Sequence, residues 1–125
     1  MGDESKLSIL LVSDDAHLRE EAKFGFGDET DVILAEDSHD AWKVLAERIP
    51  DVVVVDLQTG SAGGYNLIRE MHEMDRDTRT LLLLDRPQDE WLGKQAGADS
   101  IRVKPLDPAE LVYEVRALAT GQTTQ

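Results

Sequence analysis

The chain of 125 residues has no cysteine, so disulfide frameworks, thiolate metal sites and cysteine nucleophiles are excluded. No apolar stretch approaches the ~20 residues a membrane-spanning helix needs. Met1 to Lys6 is polar and acidic, unlike a secretory leader. Positive charge is also scarce. Thirteen Lys and Arg stand against 26 Asp and Glu, a net charge of −13, and no basic patch offsets it. Such a surface repels a phosphate backbone, which argues against direct nucleic-acid binding. What remains, 41% hydrophobic and 31% charged residues, is the composition of a globular domain. A single cytoplasmic domain over residues 7–120 is expected, with a flexible N-terminus at 1–6 and a flexible tail at 121–125.

Apolar runs of strand length alternate with segments of helical period. Leu7 to Val12 reads as a first strand, and Leu18, Ala22 and Phe26 recur every four residues on a first helix closed by Gly25 and Gly27. Val32 to Ala35 is a short strand. Ser38 is a candidate N-cap for a helix with Ala41, Leu45 and Ile49 inward, stopped by Pro50. Val52 to Val55, four consecutive valines, suits a strand buried on both faces of a parallel sheet. After a glycine-rich loop, Gln58 to Gly64, come a helix carrying Leu67, Ile68 and Met71 and a strand at Leu81 to Leu84. A short helix from Gln88 to Ala96, a strand from Ser100 to Val103 and a last helix opened by Asp107-Pro108 complete five βα units. Right-handed crossovers then place helices on both sheet faces.

The strands stop at chemistry. Val12 leads to Ser13-Asp14-Asp15, Val55 to Asp56, Leu84 to Asp85, and Val103 to Lys104-Pro105. In a parallel α/β sheet the carboxyl ends share one edge, where ligands bind. Carboxylates gathered there with one lysine suit a hard divalent cation and a phosphoryl group. Aspartates before a helix also serve as caps, and Lys104 also suits a structural ion pair with Asp56. Both accounts stay open on sequence alone.

These residues resemble the receiver domain of two-component response regulators, a flavodoxin-like (βα)5 fold with strand order 2-1-3-4-5. The similarity runs from about Leu7 to Ala119. It is carried by Ile9 to Val12 before the acids, Val52 to Asp56, Gly64 eight residues beyond Asp56, and Gly97-Ala98-Asp99 leading to Val103-Lys104-Pro105-Leu106-Asp107-Pro108. The resemblance implies that Asp56 is a carboxylate nucleophile taking a phosphoryl group from a kinase phosphohistidine. It implies Mg²⁺ held by Asp14, Asp56 and the Gln58 backbone carbonyl, with Asp15 able to substitute after a small shift. It further implies Lys104 against the phosphoryl group, a cis peptide before Pro105, and catalysis by positioning and charge neutralisation.

The chain departs from that family at the site itself. Ser13 takes the first of two acid positions, which predicts a weaker metal site. Asp85 takes the place of a threonine or serine whose hydroxyl binds the phosphoryl group; an ionised carboxylate has no proton to donate. Ile101 replaces a switch aromatic, and Gly60 a usual proline. The segment Asp85 to Gly97 is short.

Other motifs carry less. Asp15-Ala16-His17 resembles the opening of a cobalamin-binding loop, but Glu20 stands where glycine is required. His17, His39 and His72 read as exposed helical residues. Gly60, Gly63 and Gly64 make no dinucleotide fingerprint after the first strand. Trp42 is expected at the core rim, and Trp91 half-buried on the fourth helix. The sequence reading is therefore a stand-alone receiver, not an enzyme in the usual sense, whose partners are a sensor histidine kinase or phosphotransfer protein and a downstream protein. A weak homodimer is compatible with it. The competing reading is a phosphorylation-independent interaction module in which the acids and Lys104 form a fixed network.

Overall fold

Five parallel strands form one sheet in the order β2-β1-β3-β4-β5: β1 Leu7–Val12, β2 Thr30–Ala35, β3 Val52–Asp56, β4 Arg79–Leu84 and β5 Ser100–Val103. The computed structural model describes residues 6–56, 62–74 and 78–121, with only the backbone of Ala62 and Gly63. The helices are α1 Ala16–Phe26, α2 Ser38–Leu45, α3 Ala62–Glu73, α4 Glu90–Ala96 and α5 Pro108–Ala119. A 3₁₀ turn, Pro87–Asp89, precedes α4. The five βα units are those the alternating pattern predicted, and the flavodoxin-like strand order is the one the receiver resemblance implied.

Alternate residues of the central strands feed two separate cores, because strand side chains alternate between sheet faces. Leu10, Val53, Val55 and Leu82 pack with Ala41 and Leu45 of α2, Leu67, Ile68 and Met71 of α3 and Ala96 of α4. Ile9, Leu11, Val52, Val54 and Leu81 pack with Ala22 and Phe26 of α1 and Leu111, Val115 and Leu118 of α5. The all-valine run of β3 is buried throughout, as a central parallel strand must be.

Register aligns the functional edge. Val12 lies opposite both Ala35 and Val55, Asp56 opposite Leu83, and Leu84 opposite Val103. The ladder then runs one residue further on two strands. Ser13 N–H donates to the Ala35 carbonyl at 2.9 Å, and Lys104 N–H to the Leu84 carbonyl at 2.8 Å. Ser13 and Lys104 therefore leave the sheet at fixed positions beside Asp56.

Several boundaries differ from the sequence reading. Asp37, not Ser38, caps α2, accepting from the Asp40 N–H. That helix ends at Leu45, and the tighter turn after it leaves Ile49 67% exposed instead of on the inner face. Gly25 lies inside α1, and only Gly27, at φ 74°, closes it. Helix α3 begins at Ala62, so Gly63 and Gly64 belong to it and not to the loop. Trp91 is 57% exposed, not half-buried. The inward positions of α4 are Gly93 and Ala96, whose small size lets the helix sit close to the sheet and leaves Trp91 outside. A Cβ on Gly93 would stand 2.7 Å from Leu82 Cδ2 and 2.9 Å from Ile101 Cδ1.

Candidate functional site

Asp56 ends β3 fully buried, with both carboxylate oxygens engaged. The Ser13 hydroxyl donates to Oδ2 at 2.8 Å, and Lys104 Nζ donates to Oδ1 at 2.6 Å. A buried carboxylate must be compensated by such partners, and one of them is itself charged. Ser13 is held in turn from two sides. Its Oγ accepts from the Asp15 N–H at 3.0 Å, and its carbonyl accepts from Arg19 Nη1 at 2.7 Å. Arg19 also reaches Glu36 at 3.6 Å. The sequence reading missed this role for Arg19, although its place in the second turn of α1 puts it within reach of the end of β1.

Lys104 bridges two acids, because its Nζ also lies 3.1 Å from Asp85 Oδ1. The peptide bond between Lys104 and Pro105 is cis. Burial alone pulls the Lys104 pKa down, but the hydrogen bond and charge of Asp56, then those of Asp85, outweigh it and raise the value above that of a free lysine. The ammonium is charged throughout the neutral range.

The remaining sequence candidates fall into place unevenly. Asp14 is exposed immediately beyond Ser13. Asp15 caps α1, its Oδ1 accepting from the N–H groups of His17 and Leu18. Gln58 and Gly60 lie outside the described residues. Ile101 is half-buried against the α2–α3–α4 core. Among the described residues no three acids or histidines are grouped so as to hold a metal ion. His17 is exposed and pairs with Glu21 at 3.0 Å, and His39 and His72 are also exposed. Sequence reasoning also overlooked Glu114. This buried acid of α5 accepts from the Ser100 hydroxyl at 2.8 Å and from Arg102 at 3.0 Å, tying α5 to β5. Its place between Leu111, Val115 and Leu118 on the inner face of the helix was the available signal.

Buried Asp56, tied to Ser13 and Lys104, with Asp85 on the same lysine, sets two carboxylates and one ammonium at the carboxyl edge of the sheet, a grouping suited to phosphoryl chemistry. The response regulator receiver domain family matches residues 9–116. Response regulator Rre1 of Synechocystis is 32% identical over 93% of this chain and 53% of its own length. The virulence transcriptional regulatory protein PhoP of Salmonella typhimurium is 33% identical over 90% of this chain and 51% of its own. The chain thus spans about half the length of the curated relatives it matches. Among solved structures, a two-component response regulator of the LuxR family from Aurantimonas superposes with a TM-score of 0.82 at 29% identity, covering 95% of this chain and 89% of that one. A putative response regulator from Chloroflexus aurantiacus gives 0.83 at 24% identity, covering 93% and 99%, and attests the fold. The chain belongs to the response regulator receiver domain family of two-component signalling.

Proposed function

We propose that this receiver accepts a phosphoryl group on Asp56 from a histidine kinase or phosphotransfer protein and signals to a downstream partner. The observation that carries the reading is the 2.6 Å contact between Lys104 Nζ and Asp56 Oδ1 at the carboxyl edge of the sheet. In the transfer an Asp56 oxygen forms the new O–P bond as the P–N bond to the donor imidazole breaks. The freed ring nitrogen keeps the bonding pair and takes up a proton. The product is an acyl phosphate. Lys104 neutralises charge growing on the phosphoryl oxygens, and Ser13 fixes the rotamer of the attacking carboxylate.

Receiver domains generally use Mg²⁺ at this site. The donors here fit it sparingly: Asp14 offers an exposed carboxylate, Asp56 a buried one, and Asp15 is committed to its cap. Asp14 and Asp56, with the Gln58 carbonyl and water, would hold the ion. Bound there it would screen the phosphoryl charge.

The competing reading, a phosphorylation-independent module, is favoured by the Asp85–Lys104 pair, which occupies the lysine in advance. Incubation with acetyl phosphate and Mg²⁺ separates the two. The phosphoacceptor reading expects a mass gain of one phosphoryl group, absent in Asp56→Asn. An unchanged mass, with no effect of Mg²⁺ on tryptophan fluorescence, supports the module.

A further inference from the structure

Resting on the phosphoacceptor reading of Asp56, we propose that Asp85 is a positioning residue for Lys104: a built-in anion that holds the lysine until a phosphoryl group displaces it. The Asp85 contact at 3.1 Å is longer than the Asp56 contact at 2.6 Å, and the Asp85 side chain is 52% exposed where that of Asp56 is wholly buried. The weaker, wetter partner is the one that leaves. Turning the Asp56 carboxylate into an acyl phosphate adds further negative charge and more acceptor oxygens beside the same ammonium. An ionised Asp85 cannot donate to those oxygens and is repelled by them, so both anions do not share Lys104.

Asp85 has somewhere to go. It lines an open cleft of about 380 Å³ with Asp15, Leu18, Lys104, Pro105 and Leu106. Leu84 before it is anchored in the core, whereas Arg86, Pro87 and Gln88 after it are exposed. Arg86 pairs with Asp89 at 3.2 Å across the turn into α4. Phosphorylation therefore drives the β4–α4 turn outward by expelling Asp85. A hydroxyl at this position would draw the turn inward.

The test uses the full chain and its Asp85→Asn and Asp85→Glu variants, each checked for folding by far-ultraviolet circular dichroism. Acetyl phosphate with Mg²⁺ is added, uptake is followed by intact mass, and amide exchange is measured over residues 84–91. Asp85→Asn should take up phosphoryl groups about tenfold faster, since one repelling charge is gone. Without phosphate its 84–91 segment should already exchange like that of the phosphorylated wild type. Asp85→Glu should restore the slow rate. A merely structural role predicts no gain in rate. Equal uptake by wild type and Asp85→Asn, with unchanged exchange, overturns the inference alone. Failure of both proteins to gain a phosphoryl group overturns the phosphoacceptor reading and takes the inference with it.

Discussion

At the scale of single residues the pocket is a relay of dependent contacts. Removing the Ser13 hydroxyl takes one hydrogen bond from buried Asp56 Oδ2 and one from the half-buried Asp15 N–H. Ser13→Ala should therefore cost about 1–3 kcal/mol, read as a lower midpoint in urea unfolding. Lys104 supplies a pH signature. Its folded pKa is raised, so its contribution is complete below the unfolded lysine value near ~10.4 and is lost as pH climbs through the higher folded value. The stability gap between wild type and Lys104→Met should be flat from neutral to mildly alkaline pH and shrink only above that range, as thermal melts across the series will report. The charged residues at the strand ends were legible in the sequence. Their pairing was not, because the choice among Asp14, Asp56 and Asp85 as partners of Lys104 depends on side-chain rotamers that spacing does not encode.

At the scale of elements, legibility followed periodicity and failed at ends. Strands β1 and β3 were readable from their apolar runs, and β5 from Asp99 before it and Lys104-Pro105 after it. Helix α2 misled because Ile49 continues the four-residue spacing past the point where Glu47 and Arg48 N–H groups both turn back to the Val44 carbonyl. Helix α5 was plain from Asp107-Pro108, and the structure adds a full capping box between Asp107 and Glu110. Asp107→Ala should destabilise by about 1 kcal/mol in chemical denaturation. Helix α4 is more demanding, because its backbone rests directly on Leu82 and Ile101. Gly93→Ala should cost about 1–3 kcal/mol, and a midpoint matching wild type would contradict the close packing described.

For the whole molecule, alternation of strand and helix pointed to the fold class, the strand order came with the resemblance to receiver domains, and the two-sided core accounts for the alternation. Residues of opposite parity on β3 face different layers, α2, α3 and α4 on one side and α1 with α5 on the other, so a one-residue slip would carry a flanking aspartate into a core layer. The net charge of −13 acts on this frame as diffuse self-repulsion. Added salt should raise the thermal midpoint, and a midpoint that falls with sodium chloride would show that the Asp56–Lys104–Asp85 pairs outweigh it. The sheet has two open margins, β2 and β5. The β5 margin is only four residues long and carries Arg102, tethered by buried Glu114. A brief, charged border is a poor template for another chain to extend by strand addition, so this margin is guarded against fibril growth even when the chain is concentrated.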